Sequence, residues 1–383
     1  MGCALCCVKK KQQEQKDNSE KDEPFLSSNE EGSQEFTTKV VRGDFDEMKV
    51  LGKGSFGKVL LVRYKKNQKL YAMKILKKAV IMKNNEEIHT KTERKILAKI
   101  NHPFIVSLYF AFQDEKKLYL ITEFMQGGEL FYHLHRERFF SNERTQFYAA
   151  EIVLALDHLH KNNCIYRDLK PENVLLDKDG HIKLADFGLS KIMLEKNKAK
   201  AFTLCGTPDY LAPEILEDKG YDKTVDWWSL GALIYEMLVG YSPFKMKKGE
   251  QLNIEKYKAP VPLHNHFTPE AKMIITDLLV VEPSKRLGYG SNGTENIKKH
   301  PFFKDINWEE LYNKKVEPEF VPKIFNELDL GNFDKFFTNE NVFEPESEMN
   351  SASVLKDNPN EFAGFTYVKP GVVDEAQKDD EDI

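Results

Sequence analysis

The chain has 383 residues, 41% of them hydrophobic and 31% charged, and a net charge of −5 at neutral pH. That supplies a sizeable core and, on length alone, roughly two or three compact units. Lysines dispersed among acids argue against a nucleic-acid binder. No apolar run approaches the ~20 residues of a membrane-spanning helix, and "CALCCV" near the start is too short for a secretory signal, so a soluble protein is expected. Cys3, Cys6 and Cys7 crowd the start, leaving Cys164 and Cys205 in the body. That is neither a disulfide framework nor a zinc spacing, and it points to a reducing, intracellular compartment.

In chain order, residues 1–44 include the polar run "KKKQQEQKDNSEKDEPFLSSNEEGSQ", the composition of a disordered tether. From Phe45, "FDEMKVLGKGSFGKVLLVRY" and "KLYAMKILKK" alternate as strands around a glycine turn. A helix-period segment, "NNEEIHTKTERKILAKI", and two strands, "IVSLYFAFQD" and "KLYLITEF", complete a small sheet-rich unit. After Glu129 the pattern turns helical, with "TQFYAAEIVLALDHLHKN" and "DWWSLGALIYEMLVG" flanking the short strands "NVLL" and "HIKLADFG". From roughly residue 304 helices fade into extended chain. A β-rich lobe, an α-rich lobe and a cleft between them are expected. "DKDG" at 177–180 lacks the aspartate spacing of a calcium loop and reads as a turn.

"LGKGSFGKV" places Gly52, Gly54, Gly57 and Val59 in a G-x-G-x-x-G-x-V pattern. Glycines so spaced let backbone amides approach phosphates without Cβ interference. A dinucleotide-binding turn shares the pattern but opens a helix, whereas this one runs into another strand and reads as a hairpin lid. Lys74 shares a strand face with Ala72 and Leu76, so it is either a lysine snorkelling from an edge or a cation aimed at phosphate. Glu93 shares a helical stripe with Ile96, Leu97 and Ile100. A carboxylate on an inward face needs a partner, and Lys74 is the available cation; the alternative is an ordinary helix-surface glutamate.

"YRDLKPENVLL", residues 166–176, concentrates charge directly before an apolar strand. It resembles the catalytic loop of protein kinases, with Tyr166 where histidine is commoner. "ADFG" with Asp186, "GTPDYLAPE", "DWWSLG" and "KRLG" follow in that family's order. Over roughly residues 45–303 the chain is therefore similar to a protein-kinase catalytic domain. "DLKPEN" and Leu189 resemble the serine/threonine type. The resemblance implies an α+β, two-lobed fold with ATP between the lobes. It further implies that Asp168 accepts the proton of the attacking hydroxyl, that Lys170 sits near the transferring phosphate, and that Asn173 and Asp186 hold two magnesium ions. Lys74, aimed by Glu93, would meet the phosphates under a lid formed by Leu51, Gly52, Lys53, Gly54, Ser55, Phe56, Gly57, Lys58 and Val59. Glu123 to Met125 would be the hinge that bonds adenine, with Thr122 as gatekeeper, Ala72 and Leu175 against the ring and Glu129 near the ribose. Glu214 would pair with Arg286 and Asp226 would brace the catalytic loop.

"AFTLCGTPDY" and "EFAGFTYVKP" resemble the activation loop and hydrophobic motif of the AGC group, in the branch of protein kinase B, the ribosomal S6 kinases and the serum/glucocorticoid-regulated kinases. "NFDKFF" resembles the group's segment over the nucleotide cleft. This implies phosphorylation of Thr203 by an upstream kinase of the phosphoinositide-dependent type, its phosphate pairing with Arg167. It also implies that Phe362 and Phe365 dock beside the Glu93 helix and that phosphorylated Thr366 meets Gln113 and Arg94. Thr207 would face the substrate-docking surface. Glu129, Glu172 and Glu236 would read arginines upstream of the phosphoacceptor, favouring R-x-x-S/T or R-x-R-x-x-S/T sites. One departure is Glu344 before Pro345, where the group carries a phosphorylatable residue; Glu344 is expected to replace that phosphate, with Ser347 as the alternative. The layout is then an N-terminal tail over 1–44, a catalytic domain over 45–303 and an AGC-type segment over 304–378. Gly2 after the initiator methionine suggests myristoylation and Cys3 palmitoylation, with Lys9 to Lys11 favouring anionic lipid, hence a cytoplasmic protein with lipid-anchored membrane association. A pseudokinase scaffold, the rival reading, would lack Lys74, Asp168, Asn173 or Asp186, and all four are present.

Overall fold

Strands β1 (Phe45–Gly54), β2 (Gly57–Tyr64) and β3 (Leu70–Lys77) follow the period-two pattern of the sequence. Lys58, Leu60, Val62 and Tyr64 bury one face of β2, and Met73 and Ile75 continue that face on β3. Ala72, Lys74 and Leu76 take the opposite face of β3. The chain continues through α1 (Lys78–Lys83), α2 (Glu87–Lys99), β4 (Leu108–Gln113) and β5 (Lys117–Glu123). The computed structural model describes residues 40–54, 57–193, 201, 203, 205–217, 220–247, 250, 253–342 and 361–372. Gly2, Cys3, Cys6, Cys7, Ser55, Phe56, Glu344 and Ser347 lie outside the described residues.

The second lobe begins with β6 (Gly128–Glu129), α3 (Leu130–Glu137), α4 (Asn142–Lys161) and β7 (Cys164–Ile165). It continues with β8 (Val174–Leu176), β9 (Ile182–Leu184), β10 (Lys191–Ile192), α5 (Pro213–Leu216), α6 (Thr224–Val239), α7 (Ile254–Lys258), α8 (Pro269–Leu278) and α9 (Gly293–Lys298). Ser141 caps α4 by accepting from the Arg144 amide. Helix α6 is buried from Thr224 to Leu238, apolar nearly all round, and is the pillar of this lobe. It stops at Gly240, whose φ of 87° is the left-handed conformation a helix C-terminus favours.

The chain beyond residue 304 departs from the extended path expected of it. Asn307 and Asp334 each accept an amide and start the short helices α10 (Trp308–Tyr312) and α11 (Lys335–Thr338). The last described segment adds β11 (Tyr367–Val368) to the first sheet, whose order is β1-β2-β3-β5-β4-β11. Tyr367 pairs with Ala111 and Val368 with Phe110, so β11 covers the free edge of β4. Among the described residues no helix is long and apolar enough to cross a membrane.

Glu214 and Arg286 pair as expected, with Nη1–Oε1 at 2.6 Å and Nη2–Oε2 at 2.9 Å, both side chains buried. Nε of Arg286 donates to the Val280 carbonyl, and the guanidinium lies 5.1 Å from the Trp228 ring centre. Removing one partner strands the other as a buried charge. Arg286→Met is expected to lower unfolding free energy by about 3–5 kcal/mol in urea denaturation, and an unchanged midpoint would contradict this placement.

Candidate active site

Each strand and turn around the cleft delivers one group. Lys74, on the inner face of β3, lies with Nζ 2.7 Å from Glu93 Oε1 and 3.0 Å from Asp186 Oδ1. Glu93 comes from the buried stripe of α2, beside Ile96 and Leu97. Asp186 follows β9 at a φ of 54°, uncommon for a non-glycine residue and a mark of a position fixed by its surroundings. Burial pulls the Lys74 ammonium down, but the Asp186 and Glu93 carboxylates outweigh it and hold the amine above its ordinary value. Lys74 holds Asp186 below the usual carboxylate range, so Asp186 is ionised, and its side chain is half-exposed to the cleft. Burial raises Glu93 against the pull of Lys74.

Across the cleft, Asp168 is buried, and its Oδ2 accepts from Lys170 Nζ at 2.7 Å and Asn173 Nδ2 at 2.8 Å. Thr207 Oγ1 stands 3.3 Å from its other oxygen and 3.1 Å from Lys170 Nζ. Burial raises the Asp168 carboxyl despite Lys170, and Asp186 adds to the rise, so the two acids share one electrostatic neighbourhood. Asn173 ends a 3-10 turn, Pro171–Asn173, and β8 starts immediately after it, which fixes the amide at the cleft floor. Asp226, buried on α6, accepts from the backbone amides of Tyr166 at 3.0 Å and Arg167 at 2.8 Å. Its Oδ2 also lies 2.7 Å from His160 Nε2. The catalytic-loop backbone is thus anchored from below, and Arg167 sits at a φ of 69°.

The glycines differ in what holds them. A Cβ at Gly57 would fall 1.7 Å from the Ile75 carbonyl, whereas one at Gly52 or Gly54 would meet nothing within 4 Å. Gly57 is required by strand packing; Gly52 and Gly54 leave open space above the turn. Leu51, Val59, Ala72 and Leu175 are half-buried around the cleft. Lys53 and Lys58 differ from expectation. They face each other across the β1–β2 ladder, and Lys58 lies on the outer face with Leu60. Lys58 Nζ donates to the Val342 carbonyl, and Lys53 Nζ pairs with Glu340 at 2.5 Å. Their side chains therefore serve the tail, and only their backbone remains for the lid.

The Glu123 carboxylate is also turned elsewhere, accepting from Lys183 Nζ at 2.7 and 2.8 Å and from the Ser107 amide at 2.7 Å. Met125 is buried in the core behind the hinge. Around the far end of the cleft, Glu129 and Glu172 are exposed and Glu236 is buried. Burial chiefly pushes Glu236 up to about 7, with the Glu172 charge adding to it.

Phe362 and Phe365 are buried, and the Arg94 side chain donates to the carbonyls of Phe365 at 3.1 Å and Thr366 at 2.6 Å. Gln113 Nε2 donates to the Phe362 carbonyl at 2.8 Å. Arg94, expected to meet a phosphate on Thr366, here holds the backbone beside it, and Gln113, expected there too, bonds the Phe362 carbonyl instead. Sequence reasoning passed over Tyr166 as a mere replacement. Its buried ring meets Phe187 edge-on at 5.2 Å, and its hydroxyl donates to the Ala185 carbonyl, tying the catalytic loop to the segment carrying Asp186. The apolar flanks of both loops were the available signal.

A two-lobed fold with paired acids, a tethered lysine and an open glycine turn in one crevice defines a phosphotransferase of the protein-kinase class. Residues 45–303 match the protein kinase domain and residues 324–367 the protein kinase C terminal domain, and the chain belongs to the protein kinase family, in its serine/threonine AGC branch. It is 50% identical over 326 residues to serine/threonine-protein kinase YPK2/YKR2 of Saccharomyces cerevisiae, covering 85% of this chain but only 47% of that relative. It is 48% identical over 333 residues to serine/threonine-protein kinase Sgk1 of Gallus gallus, covering 85% of this chain and 76% of Sgk1. Protein kinase 2 of Dictyostelium discoideum is 46% identical over 334 residues, covering 87% and 69%.

Proposed function

We propose that this chain is an active kinase that transfers the ATP γ-phosphate to serine and threonine hydroxyls of basic protein sites. The observation that carries the reading is the convergence of Lys74, Asp186, Asp168 and Asn173 on one crevice. Asp168 orients the hydroxyl and takes its proton, Lys170 neutralises charge beside it, and Lys74, held by Glu93, meets the nucleotide phosphates. The donor set fits magnesium: an ionised, half-exposed carboxylate on Asp186 and the amide oxygen of Asn173 are both hard oxygen donors. Among the described residues no group of three or more His, Cys, Asp or Glu could hold a metal ion by itself. The two ions expected here would therefore take their remaining ligands from phosphate oxygens and water. Magnesium supplies charge neutralisation of the phosphates when bound. Leu51, Val59, Ala72 and Leu175 hold the adenine, and Gly52 and Gly54 give the phosphates room.

Thr203 and Thr366, both exposed, are the phosphorylation sites of this reading, served by an upstream kinase of the phosphoinositide-dependent type. The buried Arg167 guanidinium supports the first of these, since among the described residues no carboxylate pairs with it. The N-terminal Gly2 and Cys3, followed by Lys9 to Lys11, favour acylation and a cytoplasmic protein held at membranes.

Asp168→Asn is expected to abolish magnesium-dependent phosphorylation of an arginine-containing peptide while ATP still binds; turnover near the wild-type rate would eliminate the assignment. Peptide recognition should depend on pH. Glu236, near 7, is protonated and neutral below that value and becomes anionic above it. The KM for peptides with arginines upstream of the phosphoacceptor should therefore fall between pH 6 and 8, and that for an arginine-free peptide should not; parallel profiles would count against the acidic trio. Gly2→Ala is expected to move the full chain out of the membrane fraction, and an unchanged distribution would end the acylation reading.

A further inference from the structure

A buried guanidinium normally answers to an anion. Arg167 answers to neutral oxygens. Its Nε donates to the Leu189 carbonyl at 2.6 Å and its Nη1 to the Tyr221 hydroxyl at 2.9 Å. The same hydroxyl passes its single proton to the Thr203 carbonyl at 2.8 Å. Tyr221 is itself buried, and its backbone exchanges both hydrogen bonds with Ala201, at 2.8 and 2.9 Å. Burial raises the phenol above its ordinary value, so it stays neutral and keeps the proton this bond needs. The backbone of Arg167 is already fixed by Asp226, and the next residue is Asp168. One phenolic oxygen thus links the catalytic loop to the segment that carries Thr203.

We propose that Tyr221 is a positioning residue that latches the Thr203 segment to the catalytic loop while Thr203 carries no phosphate. The proposal rests on the reading that Thr203 is phosphorylated. A phosphate there brings a dianion that can engage Arg167 through charge-assisted bonds stronger than the phenol's. The latch is then dispensable. Tyr221 therefore sets the activity of the unphosphorylated chain, and with it the factor by which phosphorylation activates. Its removal leaves the Arg167 Nη1 donor short of a partner only in the unphosphorylated state.

The test compares full-length chains in two backgrounds with a basic peptide substrate. Against Thr203→Ala, the double variant Thr203→Ala/Tyr221→Phe is expected to lose about tenfold in kcat, the equivalent of one buried charge-assisted hydrogen bond, with little change in KM for ATP. Against the Thr203-phosphorylated chain, phosphorylated Tyr221→Phe is expected to stay within about twofold, which also reports that the variant folds. An equal loss in both backgrounds would make Tyr221 a general packing residue and overturn the proposal, as would no loss in the Thr203→Ala background. If phosphorylation itself leaves activity unchanged, the phosphorylation reading fails separately, and the Thr203→Ala pair still decides whether the latch exists.

Discussion

One ammonium shared by two carboxylates joins three pieces of chain that are far apart in sequence. Lys74 stands on β3, Glu93 on α2 and Asp186 beyond β9, so the triad fixes the helix against the sheet and the second lobe against both. Its charge does not balance: one cation faces two ionisable acids. A buried or half-buried excess of negative charge is costly unless a further cation neutralises it, which is the electrostatic condition a divalent metal meets. The neighbouring Asp168 is satisfied internally by Lys170 and Asn173. The crevice therefore separates a side with spare negative charge from a side already neutral, a division suited to gripping a metal-bound phosphate beside an alcohol.

Much of the scaffold for that triad comes from the far end of the chain. Phe362 and Phe365 are buried beside α2, with the ammonium groups of Lys78 and Lys91 each 5.7 Å from the Phe362 ring centre. Gln126 donates to the carbonyls of Asn326 and Asp329, Tyr132 to Gly331, and Phe333 stacks on Phe124 at 5.8 Å. Together with Lys53 and Lys58 on the outer face, these contacts let the tail touch helix, hinge and lid at once. The position of Glu93, and through it Lys74, is set partly by residues that never enter the cleft.

The strand alternation of β2 and β3 and the inward stripe of α2 were legible in the sequence because each obeys a single local period, and α6 was legible as a long, almost continuous apolar run. So was the meeting of Lys74 with Glu93, since a carboxylate on an inward helix stripe needs a cation and Lys74 was the one at hand. Direction was less legible. Lys53 and Lys58 stand within a phosphate-binding pattern, yet a β-bulge in β1 and the alternation of β2 turn their side chains outward. Glu123 reads as a nucleotide contact, but Lys183, which is distant in sequence, claims its carboxylate. Arg94 and Gln113 are spent on backbone carbonyls, a competition that no pattern of side chains announces. The short helices α10 and α11 depend on single capping residues in otherwise aperiodic chain, which is why extended structure was expected there.

The way β11 closes the sheet bears on how the molecule can be divided. Without residues 361–372, β4 would present unpaired amides and carbonyls along Phe110 and Ala111, a template for strand pairing between molecules. Val342, Phe337 and Val368 pack on the outer aromatic cluster of Phe45, Tyr64 and Phe110, and their removal would bare that cluster as well. A fragment ending at residue 303 would thus carry two adhesive surfaces. The tail covers the sheet's edge and its outer face as well as bracing α2.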